Sequence, residues 1–355
     1  MIDTLFSADS FVTRLRSDHV LQPCWNAQLS GLDADVLSAA LTIGAFRHLV
    51  DFISIEALAK QLNRQICATT YLVELLWSMH VLELGRDASG PPLYRLEPRF
   101  RPYLDVASEH YCGDALLHRY QVLRQAGEQF RSVLLIGQPG GFETEASELQ
   151  HRWAQAAQTQ IGQEQRAVTV DIATQIMKGQ EGFLKRQRML DLGAGPGLVA
   201  IALARANPEL SVVVFEYPAV AAVIRENVEI SQVADRVEVC EGDLATDDFG
   251  GDYDLIWCAS VLHFVPDVPS LLARIYNALR PGGVFVSCHA EIDRDPDKAH
   301  PVLQYYLGLR MQGRFVSYQG QLATMLEQAG LRLTDQIHDV RFPVAPVSVL
   351  VARKD

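Results

Sequence analysis

Leu190-Asp191-Leu192-Gly193-Ala194-Gly195-Pro196-Gly197 decides how the rest of this 355-residue chain is read. An apolar run with one acid ends in three glycines at alternate positions, and a helical pattern follows from Leu198 to Ala206. That order is strand, tight turn and helix, the opening unit of a nucleotide-binding α/β sheet. Glycine lets the backbone take positive φ and lets a ligand approach main-chain atoms closely. Such a turn alone is a weak signal, so its surroundings decide what it binds.

Two later acids supply that context. Val212-Val213-Val214-Phe215 ends at Glu216, and Val237-Glu238-Val239-Cys240 leads into Gly242-Asp243-Leu244. In an open parallel sheet ligands sit beyond the carboxyl ends of the strands. Successive βα units therefore bring Asp191, Glu216 and Asp243 to one edge, around the glycine turn. The carboxylate after the second strand can accept two hydrogen bonds from ribose hydroxyls. Three carboxylates repel a pyrophosphate and suit a cationic ligand. S-adenosylmethionine, with a sulfonium and an ammonium, fits better than NAD.

The alternation of strands and helices continues to the end of the chain. Asp252 to Cys258 reads as a fourth strand, Leu271 to Leu279 as a helix and Val284 to Cys288 as a fifth strand. Helices over Pro301 to Met311 and Gln319 to Ala329 and strands over Leu331 to His338 and Val347 to Ala352 complete a doubly wound, Rossmann-like α/β domain. Residues 181–355 are its expected extent. Residues 106–180 read as a helical connector, Asp114 to Ile136 and Glu145 to about Lys178, broken by Gly137-Gln138-Pro139-Gly140-Gly141. Phe130, Phe142 and Trp153 lie there; Trp153 is the candidate pocket wall.

Residues 1–105 differ in kind. Helical patterns over Asp35 to Val50, Ser54 to Leu62 and Thr69 to Leu84 precede a small hairpin at Leu93 to Leu96, a winged-helix order. Leu72, Leu75, Leu76, Met79 and Val81 or Leu82 are the expected buried side of the third helix. A DNA-reading role conflicts with the charge: this stretch holds 12 acidic and 9 basic residues, and that helix has no Lys or Arg. Phosphate contacts need them. Packing against a second subunit explains the apolar residues better.

Composition bounds the function. The chain is 48% hydrophobic and 21% charged, with a net charge of −12, which argues against non-specific nucleic-acid binding. Six cysteines, none in a Cys-x-x-Cys pair, read as reduced, buried thiols of a cytoplasmic protein. The first residues, with Asp3, Asp9, Arg14, Arg16 and Asp18, lack signal-peptide order, and no apolar run reaches the ~20 residues of a membrane span.

Leu190 to Gly197, Phe215-Glu216-Tyr217-Pro218, Gly242-Asp243 and Leu279-Arg280-Pro281-Gly282-Gly283 together resemble class I S-adenosylmethionine-dependent methyltransferases. With the winged-helix front, the chain is similar to the caffeate- and acetylserotonin-type O-methyltransferases over almost its whole length. The resemblance implies S-adenosylmethionine as cofactor and a homodimer with an N-terminal winged-helix dimerisation domain. It implies that Asp191, Gly193, Gly195 and Gly197 hold the methionine part. Glu216 then holds the ribose, Asp243 and Leu244 frame the adenine, and Tyr217 and Gly242 are further cofactor-binding candidates. Cys258 and Ala259 approach through their backbone. The family's base is a histidine shortly after the fourth strand, here His263. Its usual carboxylate partners are replaced: Ser287-Cys288-His289-Ala290-Glu291 follows the fifth strand, and Gly313-Arg314-Phe315-Val316-Ser317 has no acid. Glu291 is a possible substitute. Tyr305, Tyr306 and Arg310, with Trp153, correspond to the acceptor pocket and suit an aromatic or acidic acceptor. The expected reaction is O-methylation of a small natural-product intermediate. The alternatives are C-, N- or S-methylation, a non-methylating decarboxylase, hydroxylase or cyclase, and a ligand-sensing DNA-binding regulator. His263, His289, Glu291 and His300 could also be read as metal ligands, but no helix-spaced pair supports this and no metal is expected.

Overall fold

The computed structural model of the protein describes residues 18–85, 90–137 and 146–355; Phe142 and most of the breaker at 137–141 lie outside them. The described residues divide into two compact units between Val106 and Ala107. The helices read as a connector belong to the second unit.

In the first unit α1 (Gln22–Thr42) starts well before Asp35 and ends earlier than expected. Gly44, at φ +67°, turns the chain into a short 3-10 segment, Ala45–His48. β1 (Ile53–Ser54) leads into α2 (Ile55–Leu62), whose N-cap Ser54 accepts from the Ala57 N–H. α3 (Ile66–Ser78) begins three residues before Thr69 and stops before Leu84, because Leu82–Gly85 leaves the helix as β2 to pair with β3 (Leu93–Leu96). Its buried face is therefore Thr69, Val73 and Leu76, a 3.6-residue stripe. The three strands form a sheet in the order β1-β3-β2 over Phe46, Leu49, Leu58 and Leu76.

The second unit opens with α4 (Gly113–Ile136) and a helical run over 146–178, called α5. α5 contains two π-helical turns, Ala157–Ile161 and Gln165–Thr169. A sheet follows from β4 (Arg188–Leu192), α6 (Leu198–Ala206), β5 (Ser211–Glu216), α7 (Pro218–Ile230), β6 (Val237–Glu241), β7 (Tyr253–Ala259), α8 (Val268–Ala278) and β8 (Leu279–His289). Short β9 (Glu291–Ile292) and β10 (Ser317–Tyr318) flank α9 (Pro296–Tyr305) and α10 (Leu307–Met311). α11 (Gln321–Gln328), β11 (Arg332–Val340) and β12 (Val347–Arg353) close the chain.

The seven-stranded sheet runs β11-β12-β8-β7-β4-β5-β6, parallel from β8 to β6, with β12 antiparallel to both β8 and β11. The chain winds from β4 outward through β5 and β6, then returns to the other side at β7. Order reverses between β4 and β7, which places the crevice at their carboxyl ends. Helices cover both faces, so β4 has no solvent side: Met189, Leu190, Asp191 and Leu192 are all buried. Each such apolar side chain contributes about 1.5–3 kcal/mol. Asp191, only 2% exposed, has no such justification.

Gly193 sits at φ +65°, and a Cβ there would lie 2.5 Å from Val261 Cγ2. Gly193→Ala is expected to lose more stability in urea unfolding than Gly282→Ala, which also has positive φ (+76°) but open space around it. The control pays only left-handed strain, about 1–2 kcal/mol; the overlap adds roughly 1–3 kcal/mol.

Candidate functional site

Beyond the carboxyl ends of β4 to β7 lies a cavity of about 640 Å³, lined entirely by residues of the second unit. One end is built by the glycine turn. Gly193 donates its N–H to the Phe215 carbonyl at 3.0 Å, tying the turn to β5. Gly195 donates to Glu216 Oε2 at 3.0 Å, and Tyr217 donates its N–H to Oε1 at 2.9 Å. Gln165, in the second π turn of α5, donates to the Ala194 carbonyl at 3.0 Å and accepts from the Leu198 N–H at 3.3 Å. Single π turns often mark functional positions.

The Ala200 N–H in the first turn of α6 favours the ionised form of Asp191. Its Oδ2 is buried without a partner. Burial, and then the negative Glu216, push its pKa up to about 8. Burial also raises the pKa of Glu216, against the two backbone donors. Asp243 Oδ1 accepts from Ala245 N–H at 2.8 Å and lies 3.5 Å from the Tyr217 hydroxyl. Two enclosed acids and an orphaned oxygen favour a cation, which relieves both the repulsion and the missing bond.

The other end is aromatic. Trp153 meets Phe264 edge-on at 4.7 Å between centroids, His263 meets Phe264 at 4.2 Å and Tyr306 at 5.4 Å, and Tyr305 meets Tyr306 at 4.8 Å. Arg119 bonds both Glu164 oxygens, at 2.7 and 2.6 Å, and lies over the Tyr305 ring. His263 is buried at 8% exposure; burial first, then the charge of Arg314, lowers its pKa to about 3. Among the described residues no carboxylate bonds its ring.

His289 occupies the strand end where a glutamate was expected. Its Nε2 accepts from the N–H of both Val261 and Leu262, each at 3.1 Å. Nε2 is thus the acceptor, so Nδ1 carries the proton and donates to Ser287 Oγ at 2.8 Å. Burial holds its pKa well below the usual histidine range. A neutral ring therefore pins the turn that presents His263.

The sequence candidates fall into two groups. Asp191, Gly193, Gly195, Glu216, Tyr217, Gly242, Asp243, Leu244, Ala259, Trp153, His263, Tyr305 and Tyr306 line the cavity. Gly197 instead starts α6 at φ +76°, and Cys258 is fully buried among apolar side chains. Arg310 is exposed and is not part of the lining; four residues on, Arg314, also exposed, takes a place there. Glu291 does not orient His263, because its carboxylate accepts from Gly320 N–H at 3.2 Å and caps α11. Cys258 and Cys288 are buried, whereas Cys24 and Cys67 are exposed. Phe130 is 42% exposed, so it is not core. Gln165, His289 and Arg314 were missed, since only tertiary contact distinguishes them; a cation where an acid was expected was the one available signal.

Residues 190–285 match a family model described as a methyltransferase domain. The S-adenosyl-L-methionine-dependent methyl transferase PigF of a Serratia species is 30% identical over 155 residues, 42% of this chain and 44% of that protein. The L-tyrosine C(3)-methyltransferase of Streptomyces lavendulae is 29% identical over 173 residues, 47% of each chain. The chain thus matches less than half the length of either relative. Human N-acetylserotonin methyltransferase, crystallised with S-adenosylmethionine, superimposes with a TM-score of 0.76 at 21% identity, over 96% of this chain and 99% of that one. The fold is shared along nearly the whole chain.

Because the Asp191 carboxyl is raised, it is protonated below about pH 8 and must lose a proton to face a cation. Affinity for S-adenosylmethionine, measured calorimetrically from pH 6 to 9, is expected to rise by up to about tenfold per pH unit and level off above about pH 8. Asp191→Asn should flatten the profile; a flat wild-type profile would rule out this coupling.

Proposed function

We propose that this chain, which carries a methyltransferase domain in the acetylserotonin-methyltransferase fold, is an S-adenosylmethionine-dependent methyltransferase. Its acceptor is a hydroxyl of an aromatic or acidic small molecule. The observation that carries the cofactor reading is the partnerless Asp191 oxygen beside Glu216, across a turn of glycines. The glycine turn leaves main chain open toward the methionine part. Glu216 keeps lone pairs for ribose hydroxyls, and Asp243 with Leu244 bounds the adenine. The backbone around Ala259 approaches the amino group. S-adenosylmethionine, when bound, supplies an electrophilic methyl on a sulfonium.

The rest of the chemistry is proximity and proton removal. Trp153, Phe264, Tyr305 and Tyr306 give an aromatic acceptor flat walls and exclude water. His263 is neutral at physiological pH, so a ring nitrogen is free to take the acceptor's proton. With a pKa near 3 it is a weak base, which suits an acidic hydroxyl. That weakness, and the tyrosine C-methyltransferase among the relatives, favour C-methylation as the second reading.

The first unit supports homodimerisation. Leu21, Trp25, Leu29 and Leu32, spaced as one helical stripe, are 46%, 44%, 59% and 51% exposed. Six free cysteines are consistent with a reducing, cytoplasmic location, and among the described residues no helix is long and apolar enough to cross a membrane.

Incubation with labelled S-adenosylmethionine and candidate hydroxyarenes should release S-adenosylhomocysteine; tight binding without release on any acceptor would favour the non-methylating alternative. His263→Ala is expected to lower turnover by about 10²–10⁴, and unchanged turnover would remove His263 from the mechanism. Leu29→Glu should yield a monomer in sedimentation equilibrium where the native chain is a dimer.

A further inference from the structure

The cavity sorts its charges. Asp191, Glu216 and Asp243 lie at the glycine-turn end. Among the described residues, the one acid lining the aromatic end is Glu164, and Arg119 holds both its oxygens. That pair is internally neutral. Arg314 also lines the cavity and makes no side-chain hydrogen bond or ion pair with any described residue. It follows α10, and its N–H donates to the Leu309 carbonyl at 3.0 Å, so the loop is tied to the helix that directly follows Tyr305 and Tyr306. Its charge is felt on two sides, at His263 and at Tyr217. Arg314 is exposed, and it lines the same cavity as both His263 and Tyr217.

A cation at that position is awkward for a pocket that also takes a cationic nucleoside. At the aromatic end the lining acid, Glu164, is already held by Arg119, so a second ligand bringing negative charge would complement the guanidinium. A solvated surface arginine would account for its exposure but not for its place in the cavity lining. Guanidinium presents a planar fork of N–H donors that matches a carboxylate, and such charge-assisted pairs are about twice as strong as neutral ones. The walls beside it are rings.

Resting on the methyl-transfer reading, we infer that Arg314 determines acceptor specificity and that the acceptor is an aromatic carboxylate. Arg310, four residues earlier and outside the lining, has no part in this.

The test uses the native chain loaded with S-adenosylhomocysteine, titrated calorimetrically with 3-hydroxy-2-naphthoate and with its methyl ester. The carboxylate is expected to bind at least about tenfold more tightly than the ester, the fold-change of one charged hydrogen-bonded contact. Arg314→Gln should abolish the preference while S-adenosylhomocysteine still binds; Arg314→Lys, which keeps charge but not the fork, should restore part of it. Equal binding of acid and ester, no binding of the acid, or a preference that survives Arg314→Gln would overturn the inference. Failure of S-adenosylhomocysteine to bind the native chain would instead overturn the cofactor reading on which it rests.

Discussion

Two acids that cannot both ionise at ease in an enclosed space govern the second unit. The parallel register sets Asp191 against Val214 and Leu192 against Phe215, so the side chain ending β5 reaches the turn that follows β4. There Glu216 is held by the Gly195 N–H, and Asp191 is left half-satisfied under α6. Burying such groups costs several kcal/mol unless something compensates. A helix N-terminus meets part of that cost for Asp191. The remainder marks where a ligand is needed, so an apparent defect of the fold is the clearest statement of its use.

At the opposite end the usual logic of a carboxylate-braced histidine has been replaced. His263 is wedged between Phe264 and Tyr306, with Arg314 rather than an acid nearby. Its backbone is fixed by His289, whose ring must remain neutral to accept two N–H donors at once. Ser287 completes that arrangement by accepting from Nδ1. Rigidity of the turn is thereby separated from the basicity of the residue it presents. A braced, strongly basic imidazole handles poorly acidic hydroxyls; a weakly basic one demands that the acceptor supply more of the driving force.

Much of this was readable beforehand, and the reasons differ by element. The strand–glycine–helix order at 190–206 and the acids at 191, 216 and 243 were legible because each follows from local pattern and chain order alone. Strand β8 was read short: its start at Leu279 depends on pairing with Tyr253, which no local pattern contains. The pattern carries α3 six residues past its end because Leu82 and Leu84 fit a helical stripe as well as a strand; the hairpin partner decides the matter. Arg310 and Arg314 are both exposed and equivalent in composition, and only the break after Met311 gives one of them a place in the cavity lining. Glu291 had the right chemistry in the wrong place, committed to α11. Pattern fixes which groups exist at a strand end; packing fixes which of them meet.

The two π turns of α5 have a further consequence. Each inserts one residue more than an α-helix would use over that stretch, shifting the angular phase of everything after it. A single rod can then aim Gln163 and Glu164 at α4, Gln165 at the glycine turn, and Ala173 with Met177 at the sheet, directions that one uninterrupted stripe would not serve. Length in this segment is therefore a setting of direction. Removing one residue would leave the helix intact as a helix and turn Gln165 away from the turn it braces.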